Sequence, residues 1–244
     1  MKIMAYVIGF AESERILQFK QRHQRDDFFE LIPAVDGRVL PIGLLEKIFS
    51  APFFAHQLKN KGEKWLGASL GCFLSHINAI ETAKKQHADF VIIAEDDAEF
   101  RADPRLMIPA MVKHGVELLY LNDRMRCKTA VQPQSGDIIF LTEDNLTGTG
   151  TEAYILSQQG MNKVLALFAR GVKRSMPTGY DGFLQSFCIR SNKKIITPGK
   201  KSLNEWVVLR KSLPWEQPIT VSVAVANPSL AAHNDRGISI INAK

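Results

Sequence analysis

The sequence predicts an α/β domain whose mostly parallel central sheet is flanked by helices. Short apolar runs alternate with amphipathic stretches along the chain. One run, residues 90–94, is apolar on both faces, as strands of buried parallel sheets are. With 244 residues and 45% hydrophobic content, the chain can bury one substantial core, so we expect a single domain over residues 1–244.

The first elements are predicted in alternating order. Residues 3–8 form an apolar run that ends at Gly9, which predicts a strand, and a helical pattern follows at 13–24. Residues 28–40 predict a second strand that leaves through a turn at Asp36 and Gly37.

The next helix leads to the strand at residues 90–94. Residues 69–88 place apolar side chains at helical spacing, and Ser69 or an adjacent residue is the predicted cap. A later helical pattern occupies residues 161–172, and the helix that contains it is expected to begin near Ser157.

Three carboxylates, Glu95, Asp96 and Asp97, directly follow the buried strand. Open α/β sheets bind ligands beyond the carboxyl ends of their strands. Carboxylates at such a place can hold Mg²⁺ or Mn²⁺, whose remaining positions go to substrate phosphates and water. This favours a nucleotide diphosphate substrate.

Roles within the triplet follow from strand geometry. Side chains alternate in an extended segment, so Glu95 and Asp97 are predicted to face the metal and Asp96 to contact a sugar or ribose hydroxyl. The alternative is that the acids only cap the following turn or pair with nearby basic side chains.

The formal net charge is +6, and basic residues gather at positions 124–128, 170–174 and 190–211. Such groups either form an ordinary solvated surface or attract phosphate and anionic lipid. We expect no nucleic-acid partner, because the sequence has no helix-turn-helix or RNA-binding signature and no aromatic residues interleaved in its basic segments.

The three cysteines, Cys72, Cys127 and Cys188, are widely spaced and contain no CxxC pair. This spacing argues against a disulfide framework and against a zinc site, so we expect reduced and mostly buried thiols. No window approaches eighteen apolar residues, and the N-terminus does not read as a secretory signal, so a cytoplasmic location is expected.

Five segments occur in order and at suitable separations: AVDG at 34–37, LGCFLSH at 70–76, VIIAEDD at 91–97, GTEAYILS at 150–157 and, more loosely, PTGYDGFL at 177–184. Together they resemble glycosyltransferase family 25, the lipooligosaccharide galactosyltransferase family of Gram-negative bacteria, whose relatives include the collagen galactosyltransferases. The resemblance covers roughly residues 3–184.

The resemblance implies a GT-A-like fold, with a nucleotide-sugar half at about 1–100 and an acceptor-side half at about 101–244. It also implies transfer of a hexose, galactose above all, from a UDP-sugar donor to a hydroxyl of a lipooligosaccharide or lipopolysaccharide (LPS) acceptor. The implied cofactor is a divalent cation, Mn²⁺ or Mg²⁺, held by the acids at 95–97.

Further roles are implied at matching positions. Asp36 would lie near the nucleoside, although an ordinary turn also explains it, and Arg15 would match the N-terminal arginine of the family. The sequence departs from the family pattern at Ala68 and Ser69, where relatives usually have Gly-Glu. That departure puts donor or acceptor specificity in doubt more than the chemistry.

Asp181 is the predicted catalytic base for the acceptor hydroxyl, because an inverting displacement needs a base and the family places an aspartate there. An acid between Gly179 and Gly182 also suits a simple turn. His76 is either a contact to phosphate or sugar or a hydrogen-bonded structural group. His233 is either a third metal ligand, which favours Mn²⁺, or an exposed loop histidine.

The GTEAY segment offers the last candidates. Gly150 and Thr151 are small and would let the backbone approach the sugar. Tyr154 either packs against the sugar or lies in the core as a strand residue.

Two functions from different classes therefore stay open. The first is a metal-dependent hexosyltransferase at the cytoplasmic face of the inner membrane, where basic groups meet anionic lipid and acceptor phosphates. The second is a catalytically inactive relative that binds a glycan or a partner. A metal-dependent phosphoryl-transfer enzyme would explain the acids but not the ordered segments, and the sequence contains no GxxxxGK[ST] loop.

Overall fold

The computed structural model describes residues 1–23, 28–127, 138–141, 146–148, 150–173, 179–184 and 221–233. Within these residues the strands are β1 (Ile3–Gly9), β2 (Phe29–Pro33), β3 (Phe90–Glu95), β4 (Ala98–Phe100), β5 (Leu118–Tyr120), β6 (Arg126–Cys127), β7 (Ile138–Phe140), β8 (Leu146–Thr147), β9 (Ala153–Ser157), β10 (Val223–Ala226) and β11 (Ala231–His233). The α-helices are α1 (Glu14–Arg22), α2 (Ile42–Ile48), α3 (Ala51–Lys61), α4 (Glu63–Lys85), α5 (Ile108–His114), α6 (Gln158–Lys173) and α7 (Tyr180–Phe183), with 3₁₀ turns at Gly37–Val39 and Pro104–Met107.

The central sheet has the strand order β2-β1-β3-β9-β5-β10-β7 in the described part of the chain. Strands β2, β1, β3, β5 and β10 run in one direction, and β9 and β7 run against them. The prediction of an α/β fold with a mostly parallel central sheet flanked by helices is confirmed.

Both faces of the sheet are buried, which explains the continuous apolar runs in its strands. Alternate side chains of β3 enter different layers. Ile93 packs in a layer that contains side chains of α4 and α6, and Ile92 packs in a layer with α1 and α5. The carboxyl ends of β1 and β3 therefore lie between two helical layers.

Helix α4 begins earlier than the sequence indicated. It starts at Glu63, after Gly62 at a φ of 84°, and Ser69 lies buried within it. The prediction that the helix is capped at or beside Ser69 is wrong. Leu66 and Leu70, four residues apart on one helical face, are both buried, so the amphipathic pattern extends one turn further back than the cap signal suggested.

Glycines allow α4 to touch the loop that follows β2. A Cβ on Gly37 would lie 1.7 Å from the carbonyl oxygen of Gly67, so only glycine fits this backbone approach. Ser75 strengthens the contact, because its hydroxyl accepts from Val35 N at 2.8 Å and donates to the Gly71 carbonyl at 2.6 Å. The loop at 34–37 is thereby fixed against α4.

Among the described residues, no helix is both long enough and apolar enough to cross a membrane.

Candidate functional site

Acidic side chains gather at the carboxyl end of β3. Glu95 ends that strand, Asp96 and Asp97 form the following turn, and Glu152 lies just before the antiparallel neighbour β9. The two segments are joined by a hydrogen bond from Glu95 N to the Glu152 carbonyl at 2.7 Å. Because β9 pairs antiparallel with β3, the segment at 150–154 lies beside the acidic triplet at 95–97.

A cleft of about 110 Å³ opens beside this acidic edge. Its walls come from the carboxyl ends of β1 and β3, the loop at 34–37 and one face of α4. The predicted site residues in its lining are Arg15, Asp36, His76, Glu95, Asp96 and Asp97. The structure therefore brings these six together, while their roles stay predictions.

Arg15 joins the two aspartates of the triplet. Its Nη2 lies 2.8 Å from Asp96 Oδ1 and 2.5 Å from Asp97 Oδ2. The prediction that Asp96 faces away from Asp97 is wrong, because β3 ends at Glu95 and strand alternation stops at the turn. The alternative that these acids pair with a basic side chain holds for Arg15.

Thr151 lies between Glu95 and Asp181 and is almost fully buried. Its Oγ1 is 3.0 Å from Glu95 Oε1 and 2.7 Å from Asp181 Oδ1, so a predicted metal ligand and the predicted base share one hydroxyl. Gly150 precedes it at a φ of 150°, and a Cβ there would lie 2.3 Å from Glu152 Oε2. Gly150 therefore leaves room for the Glu152 carboxylate.

Glu152 was not among the predicted site residues. It is 3% exposed and forms an ion pair with Arg124. Its sequence context could have indicated a site residue, because Glu152 is an acid directly before the apolar residues 153–156 and lies in a segment that carries the family resemblance. Recognising it required the position of β9 next to β3, which joins residues more than fifty positions apart.

His233 reaches the acidic cluster from the far end of the described chain. It ends β11, which pairs with β4 just beyond the EDD turn. Its Nδ1 lies 3.6 Å from Asp97 Oδ2 and 3.7 Å from Glu152 Oε1. The structure thus places His233 at the site, and metal ligation by it stays a prediction.

The carboxylates perturb one another because they are buried together. Burial and the charge of Glu95 raise the pKa of Glu152 to about 8, against the opposing effect of Arg124. Burial raises the pKa of Asp96 to about 6 despite Arg15, and burial with the Glu95 charge raises that of Asp97. Burial acts to raise the pKa of Glu95, but the imidazole of His76, 3.4 Å from its carboxylate, outweighs burial, so the pKa of Glu95 is lowered.

Two buried carboxylate oxygens near the cleft lack hydrogen-bond partners among the described residues. They are Asp97 Oδ1 and Glu152 Oε2. Buried, unpaired carboxylate oxygens are costly unless a cation compensates them, and hard divalent cations prefer oxygen ligands. The residues present therefore fit a hard divalent cation, with His233 as an adjacent nitrogen donor.

His76 lines the cleft from α4 and is otherwise fully buried. Its ring stacks on Tyr180 at 4.2 Å, its Nδ1 lies 3.0 Å from Tyr154 Oη, and its Nε2 lies 3.4 Å from Glu95 Oε1. Tyr154 and Tyr180 hydroxyls are 2.8 Å apart. These contacts match the alternative in which His76 is a hydrogen-bonded structural group. They also match the alternative in which Tyr154 lies in the core as a strand residue.

Asp36 forms the turn that its sequence suggests. Its carboxylate accepts from Arg38 N at 3.0 Å and pairs with Arg38 Nε at 2.7 Å. Asp36 nevertheless lines the cleft together with Arg38 and Phe10, neither of which was predicted. Proximity of Asp36 to a nucleoside stays a prediction.

Cys72 is half-buried in the cleft wall, and its thiol is free. Potential ligand atoms of Cys72, His76 and Glu95 all lie within 4.8 Å of one another. The spacing of the cysteines in the sequence does not indicate this group, because Glu95 comes from β3. The side chain of Cys127, and Cys188 as a whole, lie outside the described residues.

Some predicted features are not covered by the structure. Lys128, Arg174, the basic residues at 190–211 and positions 177–178 of PTGYDGFL lie outside the described residues. Arg124, from the first basic group, contacts Glu152 at the site.

Fold and cleft together define an α/β protein with an acidic cleft at the carboxyl edge of its sheet. The family model described as glycosyltransferase family 25 (LPS biosynthesis protein) matches residues 3–178. The chain belongs to glycosyltransferase family 25, as its ordered segments predicted.

One curated relative is the mouse protein named inactive glycosyltransferase 25 family member 3. It is 29% identical over 172 residues, which cover 64% of this chain and 26% of the mouse protein. The chain thus spans about a quarter of the length of that relative.

Among solved structures, TarS from S. aureus matches with a TM-score of 0.41 and 13% identity, over 96% of this chain and 37% of TarS. A197 from STIV matches with a TM-score of 0.38 and 6% identity, over 98% of this chain and 97% of A197. The mannose-1-phosphate geranyltransferase from Thermus thermophilus matches with a TM-score of 0.39 and 9% identity, over 96% of this chain and 75% of that protein.

Proposed function

We propose that this protein transfers a hexose, with galactose the first candidate, from a UDP-sugar to a hydroxyl of a lipooligosaccharide or LPS acceptor, with Mn²⁺ or Mg²⁺ as cofactor. The observation that carries the proposal is the acidic cluster beside the cleft, with unpartnered oxygens on Asp97 and Glu152 among the described residues. Family membership supports the reaction class.

Asp97, Glu95 and His233 would hold the cation, and Glu152 offers a further buried oxygen beside His233. When bound, the cation would stabilise the negative charge of the leaving diphosphate. Arg15 holds Asp96 and Asp97 in place and adds positive charge at the mouth of the same cleft.

Asp181 would take the proton of the acceptor hydroxyl in an inverting displacement. Its Oδ1 is positioned by Thr151, which also contacts Glu95, so base and metal ligand keep a fixed relation. The nucleoside would lie toward Asp36, Arg38 and Phe10, which line the cleft.

The acceptor belongs to a membrane-associated glycolipid in this proposal. The net charge of +6 supports peripheral contact with anionic lipid and with acceptor phosphates, since basic residues are attracted to such surfaces. The proposal includes no nucleic-acid partner.

The test is release of UDP by purified protein from UDP-galactose, UDP-glucose and UDP-N-acetylglucosamine, with Mn²⁺, Mg²⁺ or EDTA. The variant Asp97→Asn removes one carboxylate charge at the site. Asp103→Asn is its matched control, because Asp103 is paired with Arg105 away from the cleft lining and asparagine can still cap the 3₁₀ turn.

We expect metal-dependent release from one preferred donor, loss of release in Asp97→Asn and retention in Asp103→Asn. Release that proceeds equally in EDTA, or that survives Asp97→Asn, would contradict the metal-dependent mechanism.

A catalytically inactive, glycan- or partner-binding protein is the second candidate. The mouse relative is named as inactive, and Ser69 stands where the family usually has glutamate. This position adjoins the loop of the predicted base, since a Cβ on Gly179 would lie 2.7 Å from Ser69 Oγ. Metal-dependent UDP binding without release or transfer from any of the three donors would favour this candidate.

A further inference from the structure

Cys72 and His76 present two potential ligands on one face of α4. They are four residues apart, so their side chains are neighbours on successive turns. Both face the end of β3, where the thiol sulfur, an imidazole nitrogen and a Glu95 carboxylate oxygen all lie within 4.8 Å of one another. Cys72 and Glu95 line the cleft, which gives an ion a route from solvent.

His76 is oriented as metal-binding histidines are. Its Nδ1 contacts Tyr154 Oη at 3.0 Å, and its ring is fixed by stacking on Tyr180. Its Nε2 is buried, has no hydrogen-bond partner within the described residues, and points to Glu95 Oε1 at 3.4 Å. A histidine that donates through one ring nitrogen to a fixed partner offers the other nitrogen to a metal.

The donor set differs in kind from that of the acidic cluster. Thiolate and imidazole favour zinc and similar borderline-soft metals, whereas Mg²⁺ and Mn²⁺ favour oxygen. Three protein ligands with a fourth position open to the cleft form the usual arrangement of an accessible zinc site. Two ligand atoms about 2.0–2.1 Å from a tetrahedral zinc ion lie about 3.4 Å apart, which is the distance between His76 Nε2 and Glu95 Oε1.

We propose that Cys72, His76 and Glu95 form a site for Zn²⁺ or a similarly thiophilic cation. On binding, the thiol proton leaves to solvent, the sulfur bonds the metal, and the metal replaces the direct His76–Glu95 contact. Glu95 belongs also to the proposed hard-cation site, so the two ions compete for it. The competition for Glu95 is the only part of this proposal that rests on the proposed function.

The test uses Co²⁺ as a spectroscopic substitute for zinc. Purified protein is titrated with Co²⁺ in a thiol-free reductant, and the thiolate-to-cobalt charge-transfer band in the near ultraviolet is followed. Zn²⁺ is then added to displace the cobalt, and its affinity is measured against a chelating dye. The variants are Cys72→Ser and Cys72→Ala, with Cys127→Ser as the matched thiol control and circular dichroism as the check of folding.

We expect a charge-transfer band that saturates at one thiolate-bound cobalt per chain and that Zn²⁺ abolishes. Both folded Cys72 variants should lose this band, and their zinc affinity should fall more than about tenfold. Cys127→Ser should keep both the cobalt band and the zinc affinity of the unaltered protein. A missing stoichiometric band in the unaltered protein, or a band that persists without Cys72, would overturn the site. These readouts need no UDP-sugar, so failure of sugar transfer leaves the zinc proposal untouched and failure of cobalt binding leaves the transferase proposal untouched.

Discussion

Thr151 links the two chemical roles that the site is proposed to have. Its hydroxyl contacts Glu95 at 3.0 Å and Asp181 at 2.7 Å, and the residue is buried two positions before β9 begins. The position of Asp181 thus depends on the edge of the sheet as well as on its own short helix. This anchoring supports the proposed role of Asp181 as a base positioned beside the proposed metal ligand Glu95.

The variant Asp181→Asn tests that role. Asparagine keeps the size of the side chain and can accept from Thr151, but it cannot take a proton. We expect kcat for transfer to fall about 10²- to 10⁴-fold while metal-dependent UDP binding changes little. Steady-state kinetics measure kcat, and UDP titrations measure nucleotide binding separately. A kcat close to that of the unaltered protein would rule out Asp181 as the base.

Residue-level reasoning from the sequence identified six of the sixteen described residues that line the cleft. The triplet at 95–97 was indicated by its position after a buried strand, whereas Arg15 and Asp36 were implied by the family resemblance. Glu152 and Arg38 were not identified, because nothing local shows which loops meet. The side of Asp96 was predicted wrongly, since strand alternation does not continue through a turn.

At the scale of elements, the contact between α4 and the 34–37 loop shapes the cleft. The backbone of Gly37 touches that of Gly67, and Ser75 ties Val35 to the helix. Side chains of α4 and of the 34–37 loop therefore line the cleft next to each other.

The variant Gly37→Ala should destabilise this contact. Its Cβ would lie 1.7 Å from the Gly67 carbonyl oxygen, so backbone must move, and we expect the free energy of unfolding to fall by about 1–3 kcal/mol or more. Gly43→Ala is the control, because its Cβ meets nothing within 4 Å and it lies in α2; it should leave stability unchanged or raise it by up to about 1 kcal/mol. Denaturant unfolding measures both, and equal stability of the two variants would contradict the close packing.

The elements themselves were partly readable from the sequence. Strands β1, β2 and β3 and helix α1 have clear apolar periods and lie where these patterns predicted. Helix α4 was placed too late, because Ser69 resembles a cap while the true start follows Gly62. The insertion of β9 between β3 and β5 is a long-range pairing that no local pattern specifies.

At the scale of the whole molecule, charge is divided in a way that suits a metal–nucleotide ligand. The chain carries a net charge of +6, yet its described cleft edge collects Glu95, Asp96, Asp97, Glu152 and Asp181. An overall positive protein attracts an anionic nucleotide sugar, and the local acids attract the cation. Cation and nucleotide should therefore bind cooperatively.

Calorimetric titration of UDP into the purified protein, with Mn²⁺ and then with EDTA, tests whether cation and nucleotide bind together. We expect UDP binding that requires Mn²⁺, is lost in Asp97→Asn and is retained in Asp103→Asn, whether or not a donor sugar is transferred. UDP binding of equal strength in EDTA, or no UDP binding by the folded protein with Mn²⁺, would contradict this expectation.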